Sequence, residues 1–186
     1  GELCFETRSL AEEPVRMPQN ANVGEIYEIR PAALTLVDQI AARLVQRPGA
    51  ALIIDYGYER VMPGDSLQAV RNHAFTDPLK ELGDADLTAH VDFSALATRA
   101  RHSGCSVFGP VSQSVFLKTL GILERTKILL ENALPAQAGD LHAATQRLID
   151  PRAMGNLFKV MAISHPNASA PAGFEQYPTK GINDND

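Results

Sequence analysis

Tryptophan is absent from this 186-residue sequence, and aromatic residues make up only 6% of it. A platform that stacks the bases of a single strand is therefore not expected. The two cysteines, Cys4 and Cys105, lie far apart without a CxxC spacing, which argues against a disulfide framework and a thiolate zinc site. No apolar run approaches the roughly 20 residues that cross a bilayer. We expect a cytoplasmic protein that does not enter a membrane.

Positive charge is also scarce. The net charge is -5, and the basic residues are scattered along the chain. Binding of nucleic acid requires clustered Lys and Arg that neutralise phosphates, so we expect no nucleic-acid partner. The GxGxxG, GxxxxGK[ST], HExxH and GxSxG patterns are missing as well. The sequence shown therefore lacks the motifs of dinucleotide-binding proteins, P-loop enzymes, zinc peptidases and serine hydrolases.

The passage from Gly24 to Tyr58 predicts a helix followed by a strand. Pro31 suits the first helical turn, and Pro48 and Gly49 should end the helix near Arg47. Apolar residues recur at helical spacing on one face: Leu34, Val37, Ala41, Leu44 and Val45. The apolar run from 51 to 54 is typical of a strand that helices cover on both faces. Ligands of open parallel sheets bind beyond the carboxyl ends of the strands, so the residues after this run lie at the expected functional edge.

The remainder of the sequence continues the αβ pattern. We predict an irregular excursion from 58 to 86, with a short strand or helical turn at 67–75. The later predicted elements are a helix at 92–101, a strand at 107–111, helical segments at 114–132 interrupted near Gly121, a helix at 141–149 and a last strand at 157–163. The final segment, 164–186, is rich in Pro, Gly, Asn and Ser and should be loosely ordered.

The DYGY sequence places Asp55, Tyr56 and Gly57 directly after the first strand. These residues are candidates for the wall of a substrate cleft, where Asp55 would accept hydrogen bonds from a cationic ligand and Gly57 would allow its close approach. The alternative is an ordinary strand end that Asp55 caps.

The DLTAHVDF segment contains a second candidate site. His90 could act as a general base or bind substrate, because its unperturbed pKa lies near neutrality. A purely structural histidine is the alternative. Asp92 directly precedes a predicted helix and is also a plausible N-cap. We expect no metal site, since His73, His90 and Asp92 lack a spacing that would bring them to one ion.

Three further polar residues are substrate-binding candidates. Glu25 and Glu28 could grip a guanidinium group, although their spacing alone favours a solvated Glu25 and a Glu28 that complements the helix N-terminus. Gln113 lies between a strand and a helix, where a capping role and a cleft role are equally compatible with the sequence.

Four segments carry a family resemblance: ALIIDYGY, GDSLQAVRNHAFTDPLKELGDADLTAHVDFSALA, FGPVSQSVFLKTLGI and LIDPRAMGNLFKVMAI. In this order they resemble the MidA-like, S-adenosylmethionine-dependent class I methyltransferases, from about Gly24 to Phe174. Mitochondrial members of that family assist assembly of respiratory complex I. The resemblance implies methyl transfer to arginine of a protein substrate, such as a complex I subunit, and a mitochondrial matrix location if the source is eukaryotic.

The resemblance also implies a fold. We expect an α/β fold, the C-terminal part of a class I (Rossmann-like) methyltransferase sheet, with helices on both faces and an inserted irregular segment. ALIIDYGY corresponds to the fifth strand of that sheet and LFKVMAI to its antiparallel last strand. The expected division is an N-terminal extension or hairpin remnant at 1–23, the methyltransferase part at 24–163 and the tail at 164–186.

The sequence departs from the family pattern at the cofactor site. The Gly-rich loop after the first strand and the acidic residue after the second have no counterpart, so no cofactor-binding residue can be carried over. We expect the chain to be inactive alone and to associate with a missing N-terminal portion, or with itself, through an open sheet edge. Asp55, His90 and Asp92 are expected to line the substrate side. The alternative is a noncatalytic, chaperone-like assembly module that binds a protein partner.

Overall fold

The computed structural model describes residues 3–9, 21–80 and 83–175. The helices are α1 (Pro31–Gln46), α2 (Phe93–His102), α3 (Gln113–Thr119), α4 (Ile122–Glu131), α5 (Pro135–Ile149) and α6 (Met154–Leu157). The strands are β1 (Ala50–Tyr58), β2 (Gln68–Arg71), β3 (Ala74–Thr76), β4 (Asp86–Thr88), β5 (Val91–Asp92), β6 (Ser106–Ser112) and β7 (Phe158–Ser164).

The main sheet has the strand order β5-β1-β7-β6. β7 runs antiparallel to both of its neighbours, as predicted for the last strand. It pairs with β1 along residues 50–56, whereas β5 pairs in parallel with β1 only at Gly57 and Tyr58. Among the described residues, the second edge of β1 therefore has no strand partner over most of its length.

Helix α1 follows the predicted bounds. It begins at Pro31 and ends one residue before Arg47. Val37, Ala41 and Leu44 are buried at helical spacing, whereas Val45, which was assigned to the same face, is 41% exposed. Three of the five predicted apolar positions are thus fully buried.

One face of the main sheet is covered by α1 and α2. The two helices and the strands share a single apolar cluster, which includes Val37, Phe93, Met161 and Ile163 and against which Ile53 packs. A bidentate ion pair also joins the helices, with the Arg99 guanidinium donating to both oxygens of Asp38 at 2.7 and 2.6 Å.

The opposite face is covered only in part. Its cluster consists of Phe108, Val111, Phe116, Val160, Ala162 and Phe174. Leu52 and Ile54 pair with Ala162 and Val160 of this cluster, which places them on the same face, yet they are 54% and 47% exposed. Helices do lie on both faces of the sheet. The prediction that both faces of β1 are covered is wrong within the described residues.

Several predicted segments differ from the structure. The excursion after β1 contains the short strand predicted at 67–75, but β2, β3 and β4 also form a separate antiparallel sheet in the order β3-β2-β4, which was not predicted. Helix α5 begins six residues before its predicted start at 141, and α6 was not predicted. The interruption between α3 and α4 is confirmed, since Gly121 has a left-handed φ of 82°.

The segment predicted as a loose tail contains a core residue. Phe174 is 0% exposed and packs against the rings of Phe108 and Phe116. Residues 176–186 lie outside the described residues, as do 1–2 and 10–20 of the predicted N-terminal extension. The domain boundaries at 23 and 163 stay predictions.

Candidate functional site

The carboxyl ends of β1 and β5 lie at the same edge of the main sheet because the two strands are parallel. Asp55, Tyr56 and Gly57 come from β1, while Asp92 ends β5 and His90 directly precedes it. The fold therefore brings together the two candidate segments, DYGY and DLTAHVDF, that lie over thirty residues apart in the sequence.

Aromatic contacts join these segments. The ring of Tyr56 meets the rings of His90 and Phe158 edge-on, at centroid distances of 5.7 and 5.6 Å. Within the part of the chain that the structure describes, neither ring nitrogen of His90 has a hydrogen-bond partner. His90 also lines an open pocket of about 320 Å³ with Gly64, Asp65, Ser66 and Gln68. Its imidazole is thus available to a ligand.

Gly57 is required by strand packing. A Cβ at this position would lie 2.1 Å from the carbonyl oxygen of Val91 and 3.0 Å from the ring of Phe93. The close backbone approach predicted for a ligand is instead made by β5. Contact of Gly57 with a substrate stays a prediction.

Both candidate aspartates bond to nearby backbone groups. Asp55 accepts a hydrogen bond from its neighbour, the amide of Tyr56, at 2.8 Å. Asp92 caps α2, with Oδ1 accepting from the Ala95 amide at 2.9 Å and the Ser94 hydroxyl at 2.8 Å. The capping alternative is confirmed for Asp92. A catalytic role for either carboxylate stays a prediction.

The negative charge of Asp92 also affects the pKa of Tyr58. Burial raises the pKa of the Tyr58 phenol, and the nearby negative charge of Asp92 raises it further. This phenol therefore stays protonated at neutral pH and can act as a hydrogen-bond donor.

Glu28 does bind a guanidinium, but that of its own chain. Its Oε2 accepts from Arg30 Nη2 at 2.8 Å and from the Ser66 hydroxyl, and its Oε1 accepts from the Ser66 amide at 3.0 Å. Burial raises the pKa of Glu28, yet the hydrogen bonds from Ser66 and Arg30 outweigh burial and lower it overall. We call Glu28, Arg30, Ser66 and His90 the Ser66 cluster. Ser66 was missed in the sequence because it lies 38 positions from Glu28.

Glu25 is engaged separately from Glu28. It accepts hydrogen bonds from the amide and side chain of Asn22 and from the hydroxyl of Tyr27, each at 2.9 Å. The hydrogen bonds from Asn22 are the main cause of its lowered pKa. The two glutamates therefore do not form a joint clamp here, and substrate binding by either stays a prediction.

Gln113 lies at the start of α3, on the partly covered face of the sheet. Its side chain is only 6% exposed and donates to the carbonyl oxygen of Leu148, near the end of α5, at 2.9 Å. The N-cap of α3 is Ser112, whose hydroxyl accepts from the Val115 amide, so the capping alternative for Gln113 is wrong. A cleft role for Gln113 stays a prediction.

S-adenosylmethionine requires apolar walls for its adenine ring and a carboxylate for its ribose. The pocket beside His90 is lined by polar or small residues, and the Ser66 hydroxyl is already hydrogen-bonded within the cluster. One buried atom, Nη1 of Arg30, lacks a partner in the described structure, but it is a donor on a cation and does not suit a sulfonium ligand. The residues that line this pocket therefore do not fit the cofactor by themselves.

Two negative findings apply to residues 3–9, 21–80 and 83–175. In these ranges, no group of three or more His, Cys, Asp or Glu residues is arranged to hold a metal ion. None of their helices has the length and apolar content that a membrane span requires.

The family model "Putative S-adenosyl-L-methionine-dependent methyltransferase" matches residues 4–111, more than half of the chain. The chain belongs to this methyltransferase family. It is 38% identical over 140 residues to the mouse mitochondrial protein arginine methyltransferase NDUFAF7, a match that covers 75% of this chain and 32% of the mouse protein. The Drosophila melanogaster homologue is 37% identical, with coverage of 78% and 33%.

Solved structures show the same relationship. A methyltransferase-like protein of Burkholderia thailandensis, crystallised with bound S-adenosyl-homocysteine, is 31% identical to this chain with a TM-score of 0.66. The match covers 81% of this chain and 40% of that protein. The Rossmann-like methyltransferase fold predicted from the sequence is confirmed. The chain spans about a third of the length of these curated relatives of the methyltransferase family.

Proposed function

We propose that this chain forms the acceptor side of an S-adenosylmethionine-dependent protein arginine methyltransferase, with the cofactor site supplied by further polypeptide. Membership in the methyltransferase family supports methyl transfer, and the names of the NDUFAF7 relatives support arginine as the acceptor. A respiratory complex I subunit is the proposed protein substrate. The proposed location is the mitochondrial matrix, as in the names of the eukaryotic relatives, or the cytoplasm for a bacterial source.

One observation carries the proposal. The ends of β1 and β5 place the rings of Tyr56 and His90 in contact beside an open pocket, and the two ring nitrogens of His90 have no hydrogen-bond partner in the described structure. An unpaired imidazole at the functional edge of a Rossmann-like sheet is suited to bind an acceptor group and to take up its proton.

The residues at this edge have separate proposed tasks. An arginine nitrogen is a weak nucleophile while its lone pairs are delocalised, so the acceptor must be oriented closely. The rings of Tyr56 and Phe158 are almost perpendicular, so the face of one of them can stack against a flat guanidinium. Asp55 and Asp92 provide negative charge near it, and His90 accepts the proton that the nitrogen loses.

We also propose that further polypeptide of the same protein covers β1. The apolar side chains of Leu52 and Ile54 are about half exposed, and the strand edge beside them is unpaired within the described residues. The match covers only 32% of the mouse relative, and the remainder of a chain of that length is enough to bury both features. Self-association through the same edge is the other outcome that a size measurement on this chain would reveal.

The activity is tested with the protein in its full-length form, labelled S-adenosylmethionine, and matched peptides that contain either arginine or lysine. We expect label on the arginine peptide. His90→Gln should reduce transfer about 100-fold, the usual contribution of a general base. His102→Gln is the control, since the hydrogen bond of the His102 ring among the described residues is to the Thr98 carbonyl on α2. Binding of a partner protein without any methyl transfer would contradict the proposal and favour a noncatalytic assembly module.

A further inference from the structure

Ser66 makes an unusually complete set of hydrogen bonds for one serine. Its hydroxyl donates to Glu28 and accepts from the His90 amide at 2.9 Å and from Arg30 Nη2 at 3.3 Å. Its own amide donates to Glu28 at 3.0 Å. A hydroxyl has one donor and two acceptor positions, so all three are used.

These bonds join three segments that are distant in sequence. Glu28 and Arg30 lie directly before α1, Ser66 lies between β1 and β2, and His90 directly precedes β5. The ring contact between His90 and Tyr56 depends on where the His90 backbone is held. In the described structure, the His90 amide is held by the Ser66 hydroxyl.

We propose that Ser66 is a positioning residue of the acceptor site. It fixes the His90 backbone so that the imidazole lies against Tyr56 and faces the pocket. This inference rests on the proposed function, because the acceptor site belongs to that function. Ser66 does not itself touch the reacting atoms: it acts through His90.

The geometry explains why a hydroxyl is needed at this position. Alanine at position 66 would keep the hydrogen bond from the backbone amide to Glu28. It would remove the only acceptor for the His90 amide found among the described residues. Threonine would retain a hydroxyl at the same carbon. Ser66→Ala and Ser66→Thr are therefore matched variants that differ in this group.

The test uses the full-length protein with ¹³C-labelled histidine. The ring signal that is lost in His90→Gln is assigned to His90. Ser106→Ala is the control, because it removes a single serine hydrogen bond, to the Pro166 carbonyl, at the start of β6. Methyl transfer to the arginine peptide and binding of S-adenosylmethionine are measured on the same variants.

We expect Ser66→Ala to displace the His90 signal and to raise the KM for the arginine peptide about tenfold, while the Kd for S-adenosylmethionine stays within about twofold. Ser66→Thr should restore both values, and Ser106→Ala should change neither. An unchanged His90 signal in Ser66→Ala overturns the inference, as does an unchanged KM in a folded, active variant. If the wild-type protein transfers no methyl group, the proposed function fails, and the His90 signal alone then decides whether Ser66 positions this ring.

Discussion

Ile53 and Ile54 are adjacent on β1 and point to opposite faces of the sheet. Ile53 packs against the cluster that α1 and α2 form, whereas Ile54 is 47% exposed. Their chemistry is the same, so the difference comes from what lies opposite each face. An apolar run therefore indicates which residues can be buried, but the covering elements decide which of them are.

The largest expected effect is a difference in the free energy of unfolding between variants of these two isoleucines. In this chain, Ile53→Ala should lower the free energy of unfolding by about 2–4 kcal/mol, because it removes packed methyl groups and leaves a cavity. Ile54→Ala should cost less than about 1 kcal/mol, since the side chain is already half in water. Urea unfolding of both variants measures the two costs.

The same two substitutions test whether the difference between Ile53 and Ile54 disappears in the full-length protein. If further polypeptide covers β1 in the full-length protein, Ile54→Ala should there become about as costly as Ile53→Ala. Equal costs in the isolated chain would contradict the one-sided cover of β1. A cost for Ile54→Ala that stays small in the full-length protein would contradict the proposed covering segment.

A smaller effect, of about 1 kcal/mol, is expected at the sheet edge, where stability depends on charge rather than on apolar burial. The folded pKa of Glu28 lies below the ordinary value of 4.5. The contribution of ionised Glu28 to the free energy of unfolding is therefore fully present above about pH 4.5. It is lost as the pH falls through the lower folded pKa. Glu28→Gln should remove this part of the pH dependence.

The measurement is the free energy of unfolding as a function of pH, for the wild type and Glu28→Gln. Glu25→Gln is the comparison variant, because within residues 3–9, 21–80 and 83–175 the Glu25 carboxylate bonds to nearby Asn22 and Tyr27 and not to Ser66. Identical acid profiles for wild type and Glu28→Gln would show that the Ser66 cluster does not depend on an ionised carboxylate.

Local signals made much of the fold predictable. Pro31 and Pro48 bracket α1, Gly121 separates α3 from α4, and Asp92 caps α2. A short strand at 67–75 was one of two predicted options, but its pairing into a small sheet was missed because β2, β3 and β4 have only three or four residues and no clear apolar alternation. The burial of Phe174 was missed because it depends on Phe108 and Phe116, which are distant in sequence.

The candidate site was predictable only in part. Its position followed from the apolar run that ends at Asp55, and the fold does bring Tyr56 and His90 into contact. A guanidinium grip was one of two options for the acidic pair, but the sequence could not show that Arg30 would bind Glu28 or that Ser66 would complete the cluster. Those contacts depend on how three separate loops fold together.

The most direct test of the account is calorimetric titration of S-adenosylmethionine into this chain and into the full-length protein. The proposed acceptor side lies in this chain and the proposed cofactor site in further polypeptide. We therefore predict saturable binding by the full-length protein and none by this chain alone. Absence of binding by both proteins would contradict the methyltransferase proposal, and binding by this chain alone would contradict the division of the site.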